Sequence, residues 1–171
     1  MGKLLVVIDM QNDFISGSLG TEEAKAIVSN VADTINAFDS EVVFTRDTHF
    51  DNYESTQEGT KLPVRHCIKG TDGWQICDEI KKCNKYDEKK IFDKNTFGSY
   101  ELAQYIKDRN PDEVILTGLC TDICVISNAM TIKALSPEIP VCVLSDCCAG
   151  VSVQSHQTAL DAMKMCQIEI K

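Results

Sequence analysis

Cys124 occupies a place where chemistry would put a nucleophile. It lies in Val114-Ile115-Leu116-Thr117-Gly118-Leu119-Cys120-Thr121-Asp122-Ile123-Cys124-Val125, an apolar run that breaks at Thr-Gly and passes into a stretch of helical period. In the first turn of a helix, unpaired backbone N–H groups and the positive end of the dipole favour a thiolate. Two groups able to activate it close other strand-like runs. Asp9 follows Leu4-Leu5-Val6-Val7-Ile8, and Lys94 follows Lys90-Ile91-Phe92-Asp93. Taken singly, Asp9 reads as a turn former, Lys94 as a surface lysine and Cys124 as a buried helix residue. Taken together they read as a base, a cation that favours ionised partners, and the sulfur they activate.

A second chemical signal lies in the loop that follows the second strand. Asp47-Thr48-His49 begins it and His66 comes later, so this segment holds two of the chain's three histidines. Carboxylate and imidazole together suit a divalent transition metal such as zinc, iron or manganese, with Glu58, or else Glu54, as a further oxygen ligand. Spacing alone leaves this reading level with that of a polar loop. His156, near the start of a later amphipathic helix, reads as structural or superficial.

The elements that must position these groups alternate along the chain. Strand-like runs cover Lys3–Asp9, Glu41–Arg46, Lys90–Asp93, Asp112–Thr117, Pro140–Ser145 and Cys166–Ile170. Helical period covers Thr21–Phe38, Ser99–Arg109, Asp122–Leu135 and Ser155–Met165. Thr21 is a candidate N-cap, with Glu22 and Glu23 in the first turn. The near-continuous apolar character of the first and fourth strands implies burial on both faces, hence a parallel sheet covered by helices in an α/β fold with right-handed crossovers. Residues 47–89 have little periodicity beyond a short helix at Gly73–Lys82, and a long irregular segment inside a compact domain is usually functional. In doubly wound sheets ligands bind beyond the carboxyl ends of the strands, where strand order reverses. If the first and fourth strands are central neighbours, Asp9, Lys94 and Cys124 converge there.

Composition narrows the class. The 171 residues suit one domain, 1–171, with a full core. Seventeen basic against 26 acidic residues give a net charge of −9, which argues against nucleic acid as a partner. The Lys81-Lys82 and Lys89-Lys90 pairs alternate with acids and read as a solvated face. No leader or membrane span is expected at Met1-Gly2-Lys3, and the nine cysteines, Cys142 and Cys166 among them, read mostly as small core residues of a reducing cytoplasm. Cys77 and Cys83 lack zinc-knuckle spacing.

Five segments, in order, resemble the isochorismatase-like cysteine hydrolase superfamily, most closely its nicotinamidase branch. They are Val7-Ile8-Asp9-Met10-Gln11-Asn12-Asp13-Phe14, Thr45-Arg46-Asp47-Thr48-His49, Leu62-Pro63-Val64-Arg65-His66-Cys67-Ile68-Lys69-Gly70-Thr71, Asp93-Lys94-Asn95-Thr96-Phe97-Gly98-Ser99-Tyr100 and Thr117 to Val125. The resemblance implies a three-layer sandwich around a six-stranded parallel sheet of order 3-2-1-4-5-6. It also implies a catalytic triad of Asp9, Lys94 and Cys124, and a cis peptide before Cys120. Backbone N–H groups of Cys120 and Cys124 would face an oxyanion, and Asp47, His49, Glu58 and His66 would hold one divalent metal, zinc first. Phe14, Phe97 and Tyr100 would lie at the substrate pocket. Relatives carry an aromatic residue shortly before the last metal histidine, where Leu62-Pro63-Val64-Arg65 has none. The stretch is also one residue longer than in relatives with a glutamate ligand, and Gly98 stands where serine is common.

The activity so implied is hydrolysis of a small planar carboxamide, nicotinamide to nicotinate and ammonia, through a cysteine thioester. The alternatives are the same triad acting on another amide, a carbamoyl or ureido compound or a vinyl ether, and a non-catalytic binding module that keeps the fold. Homo-oligomers, dimers or tetramers, are a family habit.

Overall fold

The first strand, β1 (Leu4–Ile8), is apolar and buried at all five positions, as a strand covered on both faces must be. The computed structural model describes residues 2–171. It places β1 at the centre of a six-stranded parallel sheet with β2 (Glu41–Asp47), β3 (Ile91–Lys94), β4 (Val114–Leu119), β5 (Val141–Ala149) and β6 (Glu169–Ile170), in the order β3-β2-β1-β4-β5-β6. Strand order therefore reverses between β1 and β4, the neighbours that the sequence pattern suggested.

Helices cover both faces. The short helix α1 (Asn12–Ile15) leaves β1, and α2 (Glu22–Ala37) crosses back to β2. Ala24, Ile27, Val31 and Ile35 line the buried stripe of α2, and Thr21 accepts the Ala24 N–H as its N-cap. These residues pack with Leu5, Val7, Val42, Phe44 and Ile80. On the other face, α5 (Tyr100–Arg109), α6 (Ile126–Leu135) and α7 (Val153–Met165) bury Leu102, Ile106, Ala129, Ile132, Leu160 and Met163 against Leu4, Val6, Ile8 and Leu116. Each of the larger side chains among them, leucine, isoleucine, valine or methionine, contributes roughly 1.5–3 kcal/mol of burial. Alternate residues of β1 thus serve opposite cores.

The irregular segment holds more local structure than its sequence pattern suggests. A 3-10 turn at Tyr53–Ser55 and α3 (Gln57–Lys61), capped by Thr56, precede His66; the helix expected over Gly73–Lys82 shrinks to α4 (Asp78–Lys81). Helices of one turn carry too few apolar repeats to register as periodic. The last strand is also shorter than expected. Gln167 adopts a positive φ of 64° after α7, and Cys166 is exposed rather than in the core. All nine cysteines are free thiols. Among the described residues no helix is long and apolar enough to cross a membrane.

Gly118 joins the two central strands closely. Its φ is 114°, and a Cβ there would collide with the carbonyl oxygen of Ile8, its partner across the β1–β4 pairing. Only glycine adopts that conformation without strain.

Candidate active site and metal centre

Parallel register sets the first contacts of the site. Asp47 at the end of β2 pairs with Lys94 at the end of β3, and Asp9 follows β1 beside them, with φ 48°. Lys94 Nζ lies 2.7 Å from Asp9 Oδ2, 3.5 Å from Asp47 Oδ1 and 3.4 Å from Cys124 Sγ. The three groups singled out from the sequence therefore meet. Thr45 Oγ1 donates to Asp9 Oδ1 at 2.7 Å and fixes the carboxylate plane. Asp9 is fully buried and Cys124 is 5% exposed. Cys124 nonetheless borders a cavity of about 850 Å3, together with Cys120, Ile123, Phe14, Phe97 and His49.

Cys124 sits in a single wide turn of π type, Thr121–Val125, that enters α6. The Val125 N–H reaches back five residues to the Cys120 carbonyl at 3.0 Å, and the Leu119–Cys120 peptide is cis. The sequence pattern suggested an unbroken helix from Asp122, with its dipole depressing the thiol. The structure corrects both points. Burial pushes the Cys124 thiol well up, opposed by the Lys94 ammonium. Burial also pushes the Asp9 carboxyl up against the pull of Lys94. At Lys94 burial works against the charge, but Asp9, Cys124 and Asp47 hold the ammonium above its ordinary range. The arrangement is a protonated thiol beside a buried acceptor, with a lysine held cationic between them. In such a pocket a proton moves from sulfur to carboxylate only when something is gained from the thiolate, and bond formation to an electrophile is that gain.

The second cluster adjoins the first through Asp47. Atoms of Asp47, His49, Glu58 and His66 all lie within 4.8 Å of one another. His49 Nε2 is 2.9 Å from Asp47 Oδ2 and 3.6 Å from Glu58 Oε1. His66 Nε2 is 3.6 and 3.5 Å from the same two oxygens. Oxygen and nitrogen ligands about 2.0–2.1 Å from a tetrahedral ion are separated by about 3.3 Å, so the four atoms fit one small cation. A further observation agrees: His49 Nε2 is buried, and Asp47 Oδ2, although 2.9 Å away, is not aligned to hydrogen-bond it, which leaves the nitrogen facing the cluster as a ligand would. The far nitrogen of His66 is already engaged, with Nδ1 2.8 Å from the Val64 carbonyl, which turns Nε2 toward the cluster. Burial disfavours an imidazolium at His66, but Asp47, Glu58 and that carbonyl outweigh it and raise the imidazole to about 10. These residues could hold a divalent metal, which would displace that proton. Glu58, and not Glu54, belongs to the set: Glu54 faces outward, 2.8 Å from Arg65.

Of the expected pocket residues, Phe14 and Phe97 border the cavity. Tyr100 does not. It is the first residue of α5 after the Ser99 cap and points to solvent, 66% exposed. Several supporting residues escaped the sequence pattern. Gln11 takes the Asp47 N–H on Oε1 at 2.7 Å and donates Nε2 to the Asp47 and Trp74 carbonyls. Asp13 accepts the Cys67 N–H at 2.7 Å, next to His66. Tyr53 packs edge-on against both His49 and His66 and donates its hydroxyl to Leu62. His156, which the sequence pattern reads as structural or superficial, is structural: its Nδ1 lies 2.7 Å from Thr121 Oγ1, at the start of the Cys124 turn. Their one signal in sequence is a polar residue beside a chemically meaningful one, which does not reveal its partner.

Residues 3–170 match the isochorismatase domain. Over 98% of its length the chain is 28% identical to the nicotinamidase/pyrazinamidase of Mycobacterium tuberculosis, covering 97% of that protein. The fold superposes with a TM-score of 0.86 on the crystal structure of a nicotinamidase/pyrazinamidase from Bacillus subtilis, 26% identical, with 99% of each chain covered. It superposes with 0.82 on the pyrazinamidase of Pyrococcus horikoshii in complex with zinc, 27% identical, with 100% of this chain and 99% of that one covered. The chain is a member of the isochorismatase domain family.

Proposed function

We propose that the chain hydrolyses nicotinamide to nicotinate and ammonia, with Asp9, Lys94 and Cys124 as its catalytic residues. The observation that carries the proposal is the contact of Lys94 with both Asp9 and Cys124, where Cys124 borders a cavity whose wall holds a four-ligand cation cluster. The activities of similar proteins, nicotinamidase and pyrazinamidase, support it.

Asp9 takes the Cys124 proton as sulfur attacks the amide carbon. The N–H groups of Cys120 and Cys124 receive the oxyanion, an interaction worth roughly 3–4 kcal/mol per donor in acyl transfer. Lys94 keeps its charge throughout and so stabilises both the carboxylate and the forming thiolate. Protonated Asp9 then gives its proton to the departing nitrogen, which leaves as ammonia, and a thioester remains on Cys124. Water, deprotonated by Asp9, attacks that thioester, and nicotinate leaves as Cys124 regains a proton. Asp47, His49, Glu58 and His66 would hold one zinc ion, whose Lewis acidity suits the ring nitrogen of a pyridine. Phe14 and Phe97 give the ring apolar surfaces. Orientation of the amide over Cys124 is where such fixed contacts act on rate.

The test is turnover by zinc-replete protein of nicotinamide, pyrazinamide, benzamide and an N-carbamoyl amino acid, read as ammonia release, and of isochorismate, read as pyruvate release. The proposal expects the two ring-nitrogen amides to lead and benzamide to trail by at least tenfold. Turnover led by the carbamoyl compound, or confined to the vinyl ether, would overturn it in favour of the alternative substrate class.

A further inference from the structure

Sheet geometry fixes Lys94 against Asp47 and Asp9, but it does not fix Lys94 against Cys124. Lys94 ends β3, the edge strand, while Cys124 follows β4, and β2 and β1 stand between them. Some other element must hold the 3.4 Å contact between their side chains.

We infer that Asn128 is a positioning residue that clamps the Cys124 turn to the segment leading out from Lys94. Asn128 lies in the first turn of α6, on its core face, and is completely buried. Asparagine is a poor helix former, and a buried amide is tolerated only when its groups are paired. Here three are, and all go to backbone. Nδ2 donates to the Cys124 carbonyl at 2.8 Å and to the Phe97 carbonyl at 3.1 Å, while Oδ1 accepts the Ser99 N–H at 2.9 Å. One side chain therefore ties the residue bearing the sulfur to both sides of Gly98, four residues past Lys94. The backbone is close enough there that a Cβ on Gly98 would meet the Ser127 carbonyl at 3.1 Å and Thr131 Oγ1 at 2.8 Å. Phe97, at the cavity wall, is set by the same clamp.

The inference rests on the reading of Lys94 and Cys124 as partners in catalysis. A slip of about 1 Å between reacting groups lowers rate by roughly 10²-fold. Losing the clamp should therefore lower kcat about 10–100-fold and change KM much less. It should also weaken the hold of Lys94 on the thiolate. Cys124 is faced by Lys94 from β3, Asp9 from β1 and, further off, Asp47 from β2. Of these only Lys94 favours the thiolate, so its retreat raises the pH at which Cys124 becomes reactive.

The test compares Asn128→Thr and Asn128→Ala with the parent as metal-replete protein. A threonine hydroxyl can still bond the carbonyl four residues back but cannot span to Phe97 and Ser99. Three readouts are taken: melting temperature, kcat and KM on nicotinamide, and the pH midpoint of Cys124 alkylation by iodoacetamide, mapped by peptide mass. The expected result is a folded Asn128→Thr with lowered kcat, KM within about threefold, and an alkylation midpoint moved up. A folded variant with kcat and midpoint unchanged overturns the inference. If the parent releases no ammonia from nicotinamide, the proposed function fails, and the alkylation midpoint alone decides the clamp. If both variants fail to fold, Gly98→Val, which lifts the same segment from the α5 side with Asn128 intact, is read for the same midpoint shift. An unshifted midpoint there overturns the inference as well.

Discussion

Replacing Lys94 with methionine isolates the electrostatics of the site while nearly keeping its shape. The ammonium is 2.7 Å from Asp9 Oδ2 with both groups buried. At an effective dielectric of about 20, a pair at that distance is worth about 6 kcal/mol, or roughly four pK units. Burial already pushes Asp9 up, and Lys94 is what limits the rise. Without it the carboxyl climbs out of its ionised form across the neutral range, and the base is lost. The acid limb of the kcat/KM profile should move up by several pH units, with at least ~10³-fold lower kcat/KM at pH 7. Stability follows with a definite sign. A group whose folded pKa exceeds its unfolded one stabilises most at low pH, and that contribution is lost as pH rises through the folded value. The variant should therefore lose up to ~1.4 kcal/mol per pH unit above about pH 4, further than the parent does, and stand about 3–5 kcal/mol below it near pH 7. Urea unfolding at several pH values and a pH–rate profile measure both effects. A variant with the parent's acid limb and the parent's pH slope would refute the assignment of Lys94 as the group that keeps Asp9 ionised.

Other outcomes follow from the same geometry. His49→Ala should reduce bound divalent metal to less than about a tenth of the parent's content by elemental analysis, with the fold kept by circular dichroism; full retention would remove His49 from the ligand set. Gly118→Ala, at φ 114° and against the Ile8 carbonyl, should fail to accumulate as folded protein or lose several kcal/mol in urea unfolding. Glu41 is bound by Arg109, Tyr105 and Lys90, which outweigh burial and lower its pKa. Glu41→Gln should therefore cost about 1–2 kcal/mol at pH 7. That difference is complete above the ordinary carboxylate value and should vanish as pH falls through the lowered one.

What the sequence made legible was whatever depends on local pattern or on motif. The apolar runs at Leu4–Ile8 and Val114–Leu116 led to a parallel sheet, and Thr21 and Ser99 marked helix starts where the structure has them. Asp9, Lys94 and Cys124 were legible because each closes or follows a strand in a recognisable motif; the sheet then brings Asp9 to Lys94, and the turn after β4 carries Cys124 to Lys94. The metal-ligand cluster was open between Glu54 and Glu58 because one helical turn, α3, decides which carboxylate faces inward, and a turn that short leaves no period. Tyr100 was misplaced because a motif gives a residue's position and not its rotation about a helix axis. Cys124 has electrostatics that the sequence did not suggest, since burial is a tertiary property and pushes the thiol up there against the pull of Lys94. Gln11 and Asn128 act through backbone groups far along the chain, and Tyr53 through one at Leu62 across an irregular loop; no spacing rule reports such partners.

The central claim, that Cys124 is the nucleophile, is tested most directly by ammonia release from nicotinamide by Cys124→Ala with its metal content and melting temperature matched to the parent. The account expects turnover to fall by at least ~10⁴-fold, as removal of a covalent nucleophile does elsewhere. Turnover within tenfold of the parent would contradict it.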